Sequence, residues 1–239
     1  MEVNAYSKAR SGASISSIFM SHVYRWMTIG LGVTAVTAFL VASSPTLAWA
    51  ILGNSLIMIA LIVAQIGLVI ALSAAIHKFS AGTATGVFLL YALLNGLTLS
   101  SVFLVYPIGS IANAFLTCTG MFLAMSVYGT VTKRDLTGLG SFMFMGLIGI
   151  IIAAIVNIFL ASSMLDFVIS CAGVIVFTGL TAYDTQKLRQ FGEAAPLNDS
   201  AAIQNGVIRR GAILGALTLY LDFINLFLML LRLFGGSRD

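Results

Sequence analysis

Apolar runs long enough to cross a bilayer recur along the whole of this chain, and no other feature restricts its fold so tightly. A membrane-spanning helix needs about 20 consecutive apolar residues. Runs of about that length occupy 24–41, 49–76, 83–106, 111–131, 140–161, 164–185 and 211–234. Turn signals separate several of them: Ser43-Ser44-Pro45 after the first, Pro107 after the third and the polar loop 132–135 after the fourth. Only 8% of the residues are charged, against roughly a quarter in soluble domains, and no polar stretch exceeds about 25 residues, which excludes a large soluble domain. The expected fold is all-α and polytopic. It has a polar arm at 1–21, a seven-helix membrane domain over 22–235 with a polar loop at 186–206 broken by Pro196, and a tail at 236–239.

The net charge of +4 does not point to nucleic acid, because basic residues in short loops are what membrane topology requires. Lys8, Arg10, Arg25, Lys78, Lys133, Arg134, Lys187, Arg189, Arg209 and Arg210 fall on one side of the seven-span plan, and only Arg232 and Arg238 on the other. The bias predicts a cytoplasmic N-terminus and a C-terminus on the opposite side. The polar N-terminus lacks a cleavable-signal pattern, so the first span is expected to act as its own targeting signal. Cys118 and Cys171 both lie within apolar runs and read as small hydrophobes.

The last span, 211–234, is unusual because Asp222 sits near its middle. A carboxylate at membrane depth is costly unless paired, hydrated or protonated. Gly211, Gly215, Thr218, Asp222, Asn225 and Met229 follow each other at steps of 4, 3, 4, 3 and 4, so they form one helical stripe. This face is expected to meet other protein or water. Small residues at close-packing spacing, Gly146 and Gly149 in the fifth span and Gly82 and Gly86 in the third, are expected to let helices approach one another.

Among the other acidic residues, Asp166 reads as an interfacial charge, and Asp184 lies near the inner end of the sixth span. Asp222 is 12 residues beyond Arg210, roughly 18 Å along a helix. Asp184 is only 3 residues before Lys187. If the sixth helix continues to Gln190, Asp184 lies roughly 9 Å inside its end. Contact between the two then needs tilt or a longer sixth helix. Two carboxylates that share a desolvated site cannot both ionise cheaply, and a pair of this kind is a proton-operated switch. With Thr218, Asn225, Thr181 and backbone carbonyls the pair makes a weak, hydrated cation site, short of the six to eight oxygens of a tight calcium site.

Other polar residues inside the spans are Asn54 and Gln65 in the second, Asn95, Thr98, Ser100 and Ser101 in the third, Ser126, Asn157 and Ser170. Gln65 and Asn95 are central in their spans and read as interhelical hydrogen-bonding groups or as part of a polar lining. His77-Lys78 follows the second span and His22 precedes the first; both read as flanks. There is no GxSxG, no HExxH, no phosphate-binding loop and no Cys/His cluster, so no enzyme or resident cofactor is expected. The last span contains no Lys for a retinal Schiff base.

The segments 179–186 (GLTAYDTQ) and 216–233 (ALTLYLDFINLFLMLLRL), with NGLTLSS at 95–101 and TKRDL at 132–136, resemble the Bax inhibitor-1 family, also called the transmembrane Bax-inhibitor-motif family, in its bacterial inner-membrane branch. The resemblance covers about residues 20–235. It implies six helices around a central seventh, an inner-membrane location and a pH-sensitive calcium leak. It implies further that Asp184 and Asp222 form the pH-sensing pair and that a basic residue after the second span latches it. This chain has Ala75-Ile76-His77-Lys78 where some relatives have arginines, so His77 and Lys78 are the candidate latch. It has Gln65 where some relatives place an acid in the second span.

Three functions follow as expectations. The first is a proton-gated cation channel, with Asp184 and Asp222 gating, Thr218, Asn225, Gln65 and Asn95 lining a polar path, and calcium and protons as its partners besides the bilayer. The second is a regulatory membrane protein acting on a partner such as a membrane protease, through the arm 1–21 and the loop 186–206. The third is a proton-coupled transporter of a small solute.

Overall fold

The structure, a computed structural model, describes residues 2–194 and 206–235, with side chains from Ser16 onward apart from Val207. Among these residues the chain is entirely helical: α1 (Glu2–Ala42), α2 (Pro45–Leu52), α3 (Ser55–Ala75), a 3-10 turn (Ile76–Lys78), α4 (Ala81–Val105), α5 (Ile108–Val131), α6 (Thr137–Leu160), α7 (Ser163–Ala194) and α8 (Val207–Phe234). Seven helices cross the membrane: the Ser16–Ala42 part of α1, α3 with its 3-10 turn, and α4 to α8. Helices are the expected result, because a spanning backbone must satisfy its own N–H and C=O groups where no water is at hand. The last span is the most shielded, with 72% of its apolar window buried against 6% for α3 and 11% for α6.

Three boundaries differ from those read in the sequence. The second apolar run, 49–76, is two helices. Gly53 N–H closes α2 on the Trp49 carbonyl, and the Asn54 Oδ1 accepts from Leu56 N at 3.0 Å and Ile57 N at 3.4 Å. Asn54 is therefore the N-cap of α3 and not a polar residue inside a span; a short amide that satisfies the first free N–H groups competes with helix continuation. The sixth span does not end near Thr185, because α7 continues to Ala194 and takes up the start of the polar stretch 186–206. Pro196 and the rest of that stretch to 205 lie outside the described residues, as does the tail 236–239. The polar arm, finally, is helical from Glu2 and continuous with the first span.

Packing divides the chain into two units. The first comprises Met1–Val105 and Leu188–Tyr220. Here α1 lies against α4, and the close approach is set by Gly96: a Cβ there would stand 2.7 Å from the Thr34 carbonyl oxygen and 2.6 Å from Thr37 Cβ. The first half of α8 fits beside them, with Tyr220 meeting Phe88 and Tyr91 edge-on at ring separations of 5.9 and 5.7 Å, a favoured aromatic geometry. Arg210 Nη1 donates to the Phe79 carbonyl at 3.0 Å and the His77 carbonyl at 3.4 Å, which ties the start of α8 to the α3–α4 turn.

The second unit comprises Tyr106–Lys187 and Leu221–Asp239. Phe115 and Phe122 of α5 pack edge-on against Phe223 of α8 at 5.6 and 5.5 Å. Lower on α5, Gly129 lets α7 come so close that its absent Cβ would collide with the Ala182 carbonyl and sit 3.1 Å from Thr185 Cβ. Buried Gln186 then pins the α5–α6 loop, its Oε1 accepting from Leu136 N at 2.9 Å and its Nε2 donating to the Arg134 carbonyl at 2.8 Å.

Candidate functional site

Asp222 lies in the second unit, one residue before Phe223, and only 5% of it is exposed. The next residue, Phe223, packs against Phe115 and Phe122 of α5. On α7, Asp184 precedes the C-terminal residue Ala194 by ten positions, roughly 15 Å of helix, so it stands well inside the element. The length of α7 is what closes the difference in depth estimated from sequence. The Asp184 and Asp222 side chains are neighbours across α7 and α8, within side-chain hydrogen-bonding reach. Lys187 is one turn beyond Asp184, its ammonium 5.8 Å from the centre of the Tyr183 ring.

Three polar atoms of this unit are buried without a hydrogen-bond partner among the described residues: Asp222 Oδ2, Ser126 Oγ and Thr185 Oγ1. Native interiors contain few such atoms. They lie on α5, α7 and α8, the helices that pack together in this unit.

The predicted stripe on α8 does not behave as one face. Gly211, Thr218 and Asn225 share a half-covered line with Leu214, Leu221 and Leu228, whereas Gly215, Asp222 and Met229 are buried. Gly215 meets Leu188 and Val23, and Met229 packs onto Gly173. Thr218 Oγ1 donates to the Leu214 carbonyl at 3.1 Å and Asn225 Nδ2 to the Leu221 carbonyl at 2.8 Å, each within its own helix.

Gln65 and Asn95 belong to the first unit, where both make interhelical hydrogen bonds. Gln65 Nε2 reaches the Leu94 carbonyl at 3.5 Å. Asn95 Nδ2 donates to the Tyr220 hydroxyl at 2.8 Å, and that hydroxyl lies 2.6 Å from Thr34 Oγ1, which itself donates to the Ala92 carbonyl at 2.9 Å. Since the Thr34 proton is committed to Ala92, the Tyr220 O–H is the donor to Thr34. The side chains of His77 and Lys78 are exposed; the part of His77 that is held is its carbonyl, by Arg210. At the other end of the spans Asp166 faces Arg232 at 3.5 Å, both well exposed.

Tyr220, Arg210 and Gln186 were not singled out by sequence. Tyr220 lies two residues before Asp222 in an otherwise apolar helix, and that position was the available signal; Arg210 and Gln186 read as ordinary members of a polar loop. Among the described residues no group of three or more His, Cys, Asp or Glu could hold a metal ion. Any cation near the pair would rely on two carboxylates together with hydroxyl and carbonyl oxygens.

A family model described as inhibitor of apoptosis-promoting Bax1 matches residues 16–239. The inner membrane protein YbhL of Escherichia coli K12 is 53% identical over 220 residues, which cover 92% of each chain. A protein of Borreliella burgdorferi is 48% identical over 225 residues, covering 94% of each chain, and one of Deinococcus radiodurans is 42% identical over 221 residues, 92% of this chain and 91% of that one.

Proposed function

Since the chain belongs to the Bax inhibitor-1 family of non-catalytic membrane proteins, we propose that it is a pH-sensitive leak channel for cations, calcium among them, gated by protonation of Asp184 and Asp222. The observation that supports this reading is the adjacency of the two carboxyl groups on α7 and α8, one of them almost wholly shielded. Two carboxyl groups in such a setting share a proton, one donating to the other. When that proton leaves, two like charges face each other where little water screens them, and they separate or recruit a cation. Either outcome moves α7 against α8, which is a gating movement. Thr218 and Asn225, on the half-covered line of α8, are the proposed polar lining, with Gln65 and Asn95 as its proposed members in the first unit. His77 and Lys78 are the proposed latch.

The same reading puts the protein in the inner membrane, where its Escherichia coli relative is named to be, with the N-terminus cytoplasmic. The distribution of ten of the twelve basic residues supports that orientation. The test is calcium flux into dye-loaded proteoliposomes across a pH series. Wild type should conduct with a pH dependence, and Asp184→Asn combined with Asp222→Asn should abolish that dependence. If both flux and its pH response are unchanged in the double variant, the channel reading fails and a regulatory role toward a membrane partner takes its place.

A further inference from the structure

Helix α2 (Pro45–Leu52) takes no part in the proposed channel. It has eight residues, roughly 12 Å of helix, far too short to cross a bilayer. The span after it crosses without its help: α3 alone has 21 residues, roughly 31 Å against a hydrocarbon thickness of about 30 Å. Only Ser43 and Ser44 separate α2 from the end of α1, and only Gly53 and Asn54 separate it from the start of α3. Both of its ends are therefore tethered at the membrane surface, on the side of the bilayer away from the α3–α4 turn.

The residues of α2 are Pro-Thr-Leu-Ala-Trp-Ala-Ile-Leu, and no Asp, Glu, Lys or Arg occurs between Arg25 and Lys78. The helix packs on α1, α3 and α4 of the first unit and buries Ala48. Its other side is open: Trp49 is 80% exposed and Leu47 49%. The Trp49 indole N–H donates to no described residue. The adjoining turns of the two spans also expose large apolar side chains, Phe39 and Leu40 on α1 and Leu56 and Ile57 on α3. Polar side chains cap only the two junctions, Ser44 Oγ accepting from Leu47 N and Asn54 Oδ1 from Leu56 N and Ile57 N.

An exposed apolar face of this kind needs a cover. Water does not supply one. The hydrocarbon core would leave the helix-end carbonyls and the indole N–H unpaired. The headgroup–acyl boundary serves both needs, since a tryptophan there buries its ring among chains while its N–H meets lipid oxygens or water. We infer that α2 is an interfacial anchor: it lies in the leaflet opposite the basic loops and inserts Trp49 and Leu47 at the headgroup–acyl boundary. Its partner is the phospholipid itself. The contact is apolar and requires no anionic headgroup, because α2 carries no charge. The anchor stands independently of whether the protein conducts ions.

Tryptophan fluorescence of the full chain in phosphatidylcholine vesicles tests this. The chain has two tryptophans, so Trp26→Phe leaves Trp49 as the reporter. Its emission should be blue-shifted from that of tryptophan in water. Lipid brominated near the carbonyl end of the acyl chain should quench it more strongly than lipid brominated near the methyl end. Iodide present on both faces of the vesicle should have little effect. Strong quenching by iodide overturns the proposal, because α2 then stands in water. Resistance to every quencher overturns it as well, because a second copy of the chain or another protein then covers the face. Stronger quenching from the methyl end places α2 in the hydrocarbon core and refutes the anchor, and a lipid contact seen only with anionic phosphatidylglycerol refutes its apolar basis. A nitroxide on Ala50→Cys, with Cys118→Ala and Cys171→Ala, gives a second reading with both tryptophans in place. Ala50 is exposed on the same helix, and its label should be relaxed by oxygen and shielded from a water-soluble nickel chelate; the opposite order sinks the proposal.

Discussion

Tyr220 shows how much one hydroxyl can organise in an apolar setting. It accepts from Asn95 and donates to Thr34, so helices α1, α4 and α8 of the first unit meet at a single oxygen. Tyr220→Phe keeps the ring contacts with Phe88 and Tyr91 but leaves the Asn95 amide and the Thr34 lone pairs without that partner. The expected loss is about 1–3 kcal/mol, the usual penalty for stranding a buried polar group, read as a drop in Tm in detergent. Thr34→Val in the same background should add little, because both substitutions break one network. Gln65, held by a long 3.5 Å bond to the Leu94 carbonyl, should tolerate Gln65→Leu much better. Sequence marked Asn95 and Gln65 equally, since each is an amide in the middle of a span; the difference between them lies in the partner that each one found.

Elements end where a local group competes for the backbone, and α6 shows this outside the membrane. Asp135 Oδ1 accepts from Thr137 N at 2.9 Å and Thr137 Oγ1 at 2.6 Å just before the helix. These donors, the hydroxyl foremost, hold the exposed Asp135 carboxyl below its ordinary value. A carboxyl so lowered stabilises the fold at pH values above its unfolded value of about 3.9, and that contribution is lost as pH falls through the lower folded value. Asp135→Ala should therefore unfold at a lower Tm than wild type at neutral pH, and the gap should close as the pH is taken below about 4. A gap that stays constant with pH would mean that the carboxyl is not what fixes this helix start. The same competition explains the misread second span, where Asn54 turned one apolar run into α2 and α3. It does not explain which glycines bring helices together. Gly146 does touch Val176, but Gly86 and Gly149 face open space, and the closest approaches to the backbone of another helix are at Gly96 and Gly129. Spacing finds small residues, whereas the neighbouring helix decides which of them is used.

For the molecule as a whole, the proposed orientation makes a prediction that any seven-span plan must meet. With Cys118 and Cys171 replaced by Ala, single cysteines at Ser44, Pro107 and Ser162 should react with an impermeant thiol reagent added outside intact cells. Cysteines at Lys78 and Lys133 should react only after permeabilisation. The reverse pattern would invert the topology and with it the side from which protons reach the Asp184–Asp222 region. The sequence alone determined that the chain crosses the membrane seven times and roughly where, because hydrocarbon leaves a spanning backbone only its own hydrogen bonds, and that is a local rule. It also determined that Asp222 is out of place in an apolar helix. Which side chains serve that residue was decided only by tertiary structure. The extension of α7 brought Asp184 to it, and the absence of a Cβ at Gly129 let α7 and α5 close up. Hydrogen-bond partners in a membrane protein are chosen between helices distant in sequence, so spacing along one helix cannot reveal them.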